Sequence, residues 1–184
     1  GHFSRALQQY DHVIKLYDPA EHGSLMYTVG HDRGVAAHSW AAMCHLYLGY
    51  PDRAFVVREE ALALAKRLGH PFSLALALQA DGFDHFERGE VDRARERAQE
   101  VVGLAEQLRF PTWLGLGRAT QGWARAESGE GEAGIAEIQQ AMVELTQIES
   151  RVVTPWLHFW LSDSLRKVGR HDEALGALAL GVAQ

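Results

Sequence analysis

A chain of 184 residues with 47% apolar and 23% charged residues has the composition of a globular protein and is long enough to bury a core without staples. Its formal net charge is -6, and its basic residues are dispersed among acids, as in ERGEVDRARERAQE, which disfavours the phosphate-neutralising surface of a nucleic-acid binder. No uncharged apolar run approaches the roughly 20 residues that cross a bilayer. The opening GHFSRALQQYDHV lacks the apolar stretch of a signal peptide, so a reducing, cytoplasmic setting is expected. The single cysteine, Cys44, lies in an apolar run and reads as a buried, inert thiol.

In chain order, residues 1–17 read as one amphipathic helix, the second half of a helical hairpin, with Gly1 as the hairpin glycine and Ala6 as a small residue five later. Asp18-Pro19 ends it, because a residue before proline is pushed out of the helical region. Residues 18–31 read as a loop, and Asp32 as the N-cap of the next helix. From there a repeat sets in. Gly49, Gly89, Gly129 and Gly169 lie 40 residues apart; Ala54, Ala94, Gly134 and Ala174 follow them by five, and Ala42, Gly82, Gly122 and Ser162 precede them by seven.

The units run 32–70, 71–110, 111–150 and 151–184. Each holds two amphipathic helices, such as PFSLALALQADGFDHFER and EVDRARERAQEVVGLAEQLR in the second. The central glycine stops the first helix in a left-handed conformation. Pro51, Pro71 and Pro111 start helices where a missing N–H is no loss. The small residues on either side of the glycine face each other and let the two axes close; a Phe at Ala54 would push them apart. The fourth unit has Arg151 where Pro71 stands earlier, so its first helix is predicted to start near Thr154, or at Arg151 with an irregular turn.

The register Ala42, Gly49, Ala54, Ala61 resembles the tetratricopeptide repeat family, and so do Gly82, Gly89, Ala94, Val101; Gly122, Gly129, Gly134, Ala141; and Ser162, Gly169, Ala174, Gly181. The family's usual period is about 34 residues, so the helices here would be longer by almost a turn. The resemblance implies an all-α, right-handed solenoid of helical hairpins in one domain. In that family the first helix of each unit lines a concave groove that binds a protein or peptide. Carried over, the groove holds Ser39, Met43, Leu46 and Tyr47, then Gln79, Phe83, Phe86 and Glu87, then Ala119, Trp123 and Glu127, then Trp156, Phe159, Asp163, Arg166 and Lys167. The partner-binding set taken from it is Met43, Tyr47, Gln79, Phe83, Phe86, Trp123, Trp156, Phe159 and Arg166.

A narrower resemblance lies in YDPAEHGSL, GHDRGVAA and LGYPDRA, which look like the C-terminal helical-repeat region of bacterial multidomain signalling proteins. In those a cyclase or DNA-binding output domain is joined to a P-loop ATPase and then to such repeats. A proline usually follows the Asp there, whereas this chain has Arg33. The chain itself carries no G-x-x-x-x-G-K-[ST] loop.

Catalytic signatures are also lacking: there is no G-x-S-x-G elbow, and the adjacent Glu59 and Glu60 point about 100° apart on a helix. Asp18, His22, His31 and Asp32 share one loop, and His38 and His45 one helix face, without the tight spacing of a metal site. No enzyme activity and no cofactor are expected. Both ends read as cut from a longer array, because EALGALALGVAQ runs out apolar where a terminal repeat should be polar; a dimer covering that helix is the alternative. Small-effector sensing and oligomerisation are the competing functions to peptide docking.

Overall fold

The structure, a computed structural model, describes residues 2–150 and 153–183. The expectations placed on Gly1 and Arg151 therefore lie outside the described residues. Among those described the chain is all-helical, with no strand. By its internal contacts it divides into two units, Gly1–Asp84 and His85–Gln184.

In the first unit α1 (Phe3–Leu16) packs on α4 (Arg33–Tyr47), and α4 packs on α5 (Pro51–Leu68). Between α1 and α4 lie α2 (Pro19–His22), a 3-10 turn (Gly23–Leu25) and α3 (Met26–Val29). The segment 18–31 is thus largely helical rather than a loop. Its turns form because the Asp18 carboxylate accepts from Ala20 N at 2.8 Å and Pro19 sits in the first turn. Gly30, at φ 86°, then takes the left-handed conformation that stops them. Asp32 caps α4 as expected, accepting from Val35 N at 2.8 Å. Both helices bury small side chains: Ala37, Ala41 and Ala42 on α4 and Ala54, Ala61 and Ala65 on α5. Helix α6 (Pro71–Glu87) begins in this unit and runs across the division at Asp84.

In the second unit α7 (Val91–Leu108) packs on α8 (Pro111–Glu127), and α8 on α9 (Gly131–Gln147). Helix α10 (Thr154–Lys167) packs on both α8 and α9, and α11 (His171–Val182) packs on α10. The late start of α10 at Thr154 matches the first of the two expectations. The facing small residues do meet: a Cβ added to Gly122 would lie 2.7 Å from the Gly134 carbonyl oxygen, and one added to Gly134 would collide with the Gly122 carbonyl. Ser162 Oγ donates to the Ala174 carbonyl at 2.8 Å across the next hairpin. Gly129, at φ 95°, turns the chain between α8 and α9. No helix among the described residues is long and apolar enough to cross a membrane.

Candidate functional site

Helix α10 presents two faces. Leu157, Trp160, Leu161, Ser164 and Leu165 are buried, while Trp156, Phe159, Asp163, Arg166 and Lys167 recur on the opposite face at helical spacing. Phe159 is 41% exposed, Arg166 and Lys167 are exposed, and Trp156 and Asp163 are half-buried. Contacts that tie this strip to α8 include a hydrogen bond that Trp123 Nε1 donates to Asp163 Oδ2 at 3.0 Å and a pairing of Lys167 with Glu127. Arg166 also donates to Asp163, at 2.7 Å. Burial pushes the Asp163 carboxyl up, but the hydrogen bonds from Arg166 and Trp123 outweigh it and leave the group below the usual carboxylate range.

The remaining expected groove residues divide by burial. Gln79, Phe83, Phe86 and Trp123 are all buried, so in this structure they pack the interior rather than line a surface. For Phe86 and Trp123 the reason is mutual edge-to-face packing. Phe86 lies 4.6 Å from Trp123, 5.5 Å from Phe159 and 5.8 Å from Trp160, centroid to centroid. Trp123 thus works from beneath the strip, orienting Asp163, and only the edge of this cluster, Phe159, reaches solvent. Tyr47 is 42% exposed yet stacks on Phe3 of α1 at 4.9 Å, so the chain's own helix covers one side of its ring. Met43 is half-buried on α4.

A polar network anchors the segment before α4. Tyr17 donates to Asp32 Oδ2 at 2.6 Å; burial, and after it this bond, holds the Tyr17 hydroxyl well above its ordinary pKa. The Asp32 N–H donates to Ser73 Oγ at 2.8 Å, and Ser73 Oγ lies 2.8 Å from His70 Nδ1. Serine, histidine and aspartate meet here, but not as a nucleophilic triad: the carboxylate binds Tyr17 and the Val35 N–H instead of orienting the imidazole. The arrangement is a helix cap with its supports. Gly34 admits the Tyr17 ring, since a Cβ there would sit 2.5 Å from it.

The sequence pattern alone did not reveal a buried ion cluster. Arg58 Nε lies 2.6 Å from Asp81 Oδ1 and its guanidinium 4.0 Å from Asp84 Oδ2, with all three side chains under 5% exposed. Arg58 also stacks over Phe55 at 4.9 Å. A signal was available: in the repeat register Arg58 corresponds to Ala98 and Ile138, so a charge there breaks an apolar pattern. Cys44 is buried, and burial raises its thiol pKa. Among the described residues, no group of three or more His, Cys, Asp or Glu side chains is placed to hold a metal ion. Compared with known protein families and with curated proteins, the chain matches none.

Proposed function

We propose that this chain is a non-enzymatic interaction module that docks a polypeptide on its first-helix faces. The observation that carries the reading is the α10 strip: an exposed aromatic ring, Phe159, stands in line with Trp156 and with the cationic Arg166 and Lys167. Its rigid support comes from the Phe86–Trp123–Trp160 cluster and the Trp123–Asp163 bond. An anchored aromatic beside polar groups is what a peptide-recognition surface needs, because most of the binding energy comes from a few preorganised side chains.

The finer architecture belongs to the same proposal. A right-handed solenoid of tetratricopeptide-like hairpins with a 40-residue period is supported by helices starting at Pro51, Val91 and Gly131, and by positive-φ glycines at 49, 89, 129 and 169. On the resemblance, the module serves a cytoplasmic bacterial signalling protein. There it regulates an output domain by favouring one curvature of the array over another.

The test is a selection of a random dodecapeptide library on the full chain, with affinities measured by fluorescence polarisation. Phe159→Ala should weaken the selected peptides about 10- to 30-fold, the size of a hot-spot loss, with the helical circular dichroism signal intact. Unchanged affinity would overturn the assignment of the strip.

One observation favours a second reading, self-association. Leu175, Leu178, Leu180 and Val182 of α11 are exposed, whereas Ile135 and Ile138, which stand in the places of Leu175 and Leu178 on α9, are buried. Light scattering of the wild-type chain and of a Leu175→Glu/Leu178→Glu variant separates the two: if both are monomeric, this reading fails.

A further inference from the structure

We infer that the cleft between α1, α4 and α5 binds a small zwitterion, an ammonium and a carboxylate joined by a short apolar chain. The cleft holds about 440 Å³ and opens to solvent. Its lining comes from Ile14 of α1, His38 of α4, and Glu60, Leu64 and Arg67 of α5, with Tyr17 just beyond the end of α1.

The ammonium end is set by His38. Its Nδ1 lies 2.7 Å from the Gly34 carbonyl oxygen. A carbonyl only accepts, so Nδ1 carries the proton, and in the neutral ring Nε2 is left as an acceptor. Glu60 Oε2 lies 3.8 Å from Nε2, beyond hydrogen-bond distance. In the neutral ring two acceptors, one of them anionic, thus stand side by side with no proton between them. A nitrogen about 2.9 Å from both would see them about 80° apart, an angle that two N–H bonds of one ammonium can serve. The way in is open. The side chain of His38 is 13% exposed and that of Glu60 57%, and Nε2 is not sealed from solvent as the Nδ1 atoms of His45 and His158 are. The ring is also held in advance: Gly34, whose carbonyl fixes it, is the residue that admits the Tyr17 ring, and Tyr17 is in turn tied to Asp32 at 2.6 Å. Groups fixed beforehand lose little freedom on binding.

The carboxylate end falls to Arg67. It follows Glu60 by seven residues, two turns along one face of α5 and about 10 Å along its axis. Arg67 is exposed, lines the same cleft and is close enough for its charge to bear on the Tyr17 hydroxyl. Its planar guanidinium matches a carboxylate. Between the two ends Ile14, Ala63 and Leu64 offer apolar surface. The reach of the two side chains shortens the gap, so a chain of about five methylenes, roughly 7 Å when extended, bridges it. A metal ion fits less well, since Arg67 opposes it and no group of three His, Cys, Asp or Glu side chains among the described residues is placed to hold one. The cleft shares no residue with the α10 strip.

The test titrates the full chain with ε-aminocaproate, with pentylamine, which lacks its carboxylate, and with hexanoate, which lacks its ammonium. Long-range ¹H–¹⁵N spectra of the histidine rings at neutral pH report on His38. In the free chain the ring should be the neutral Nδ1–H tautomer, and ε-aminocaproate should shift its Nε2 saturably. Each of the other two probes should bind at least about tenfold more weakly, the loss of one charge-assisted contact. Glu60→Gln should weaken ε-aminocaproate by a similar factor. Arg67→Gln should bring it down to the level of pentylamine and leave pentylamine itself unchanged. Both side chains are exposed, and native circular dichroism of the two variants confirms that the fold is kept. A charged His38 ring in the free chain, no saturable shift, equal binding of the three probes, or ε-aminocaproate binding that survives either substitution would overturn the proposal.

Discussion

Replacing Arg58 by isoleucine would test how the buried charges of the first unit are held. The substitution removes the cation of the 2.6 Å pair with Asp81 and leaves that carboxylate, 1% exposed at its side chain, without it in a low-dielectric interior. Breaking such a pair from one side costs about 3–5 kcal/mol, far more than the pair contributes relative to apolar residues of the same volume. Loss of the stack on Phe55 adds about 0.5–1 kcal/mol. With a urea dependence of about 1–3 kcal/mol per molar, the unfolding midpoint should fall by about 2 M.

The same logic predicts a rescue. The residues 80 places later are Ile138, Leu161 and Ser164, all of them buried in the second unit. Grafting them as Arg58→Ile/Asp81→Leu/Asp84→Ser removes the carboxylates together with the cation, so the triple variant should be more stable than the single one by about 2 kcal/mol or more. Urea titrations followed by far-ultraviolet circular dichroism measure both. A single variant that loses less than about 1 kcal/mol, or a triple variant no better than the single, would refute the reasoning.

Further outcomes follow from the helix contacts and the titrating groups. Gly134→Ala forces a methyl against the Gly122 backbone and should lower the melting temperature by several degrees. Gly176→Ala, where an added Cβ meets nothing within 4 Å, should raise stability by about 0.5–1 kcal/mol. Because burial depresses the His158 pKa from 6.5, the unfolded chain binds more protons below that pH. The His158 contribution is therefore present above pH 6.5 and is lost as pH falls from 6.5 toward the folded value. A His158→Leu variant should show a flatter stability profile in that window, measured by thermal melts from pH 5 to 8. Asp163, also depressed, should contribute stability that is present above the ordinary aspartate value of 3.8 and is lost as pH falls below it; Asp163→Asn should flatten the acid limb of the melt.

Much of the helical scaffold was readable because backbone chemistry dictated it. Glycine at a left-handed turn, proline in a first turn and Asp32 as a cap each act through their own few bonds, so local sequence suffices. The late start of α10 was readable for the same reason, from a proline displaced to Pro155. Which side of a first helix meets solvent was not. Trp123 and Phe86 sit at positions the resemblance assigns to a groove, yet their rings pack edge to face with Phe159 and Trp160. That outcome depends on residues far apart in sequence. Two short helices in 18–31 escaped notice because four-residue turns carry no periodic pattern. The Arg58–Asp81 pair likewise arises from a contact between helices.

The most direct test of the central claim is an ¹⁵N spectrum of the full chain titrated with a selected peptide, read at amides and tryptophan indoles. If the first-helix strip is the docking surface, shifts should gather at Trp156, Phe159, Asp163, Arg166 and Lys167. The Trp123 indole N–H, bonded to Asp163, should move with them. Shifts confined to α11, or scattered without relation to α10, would contradict the account.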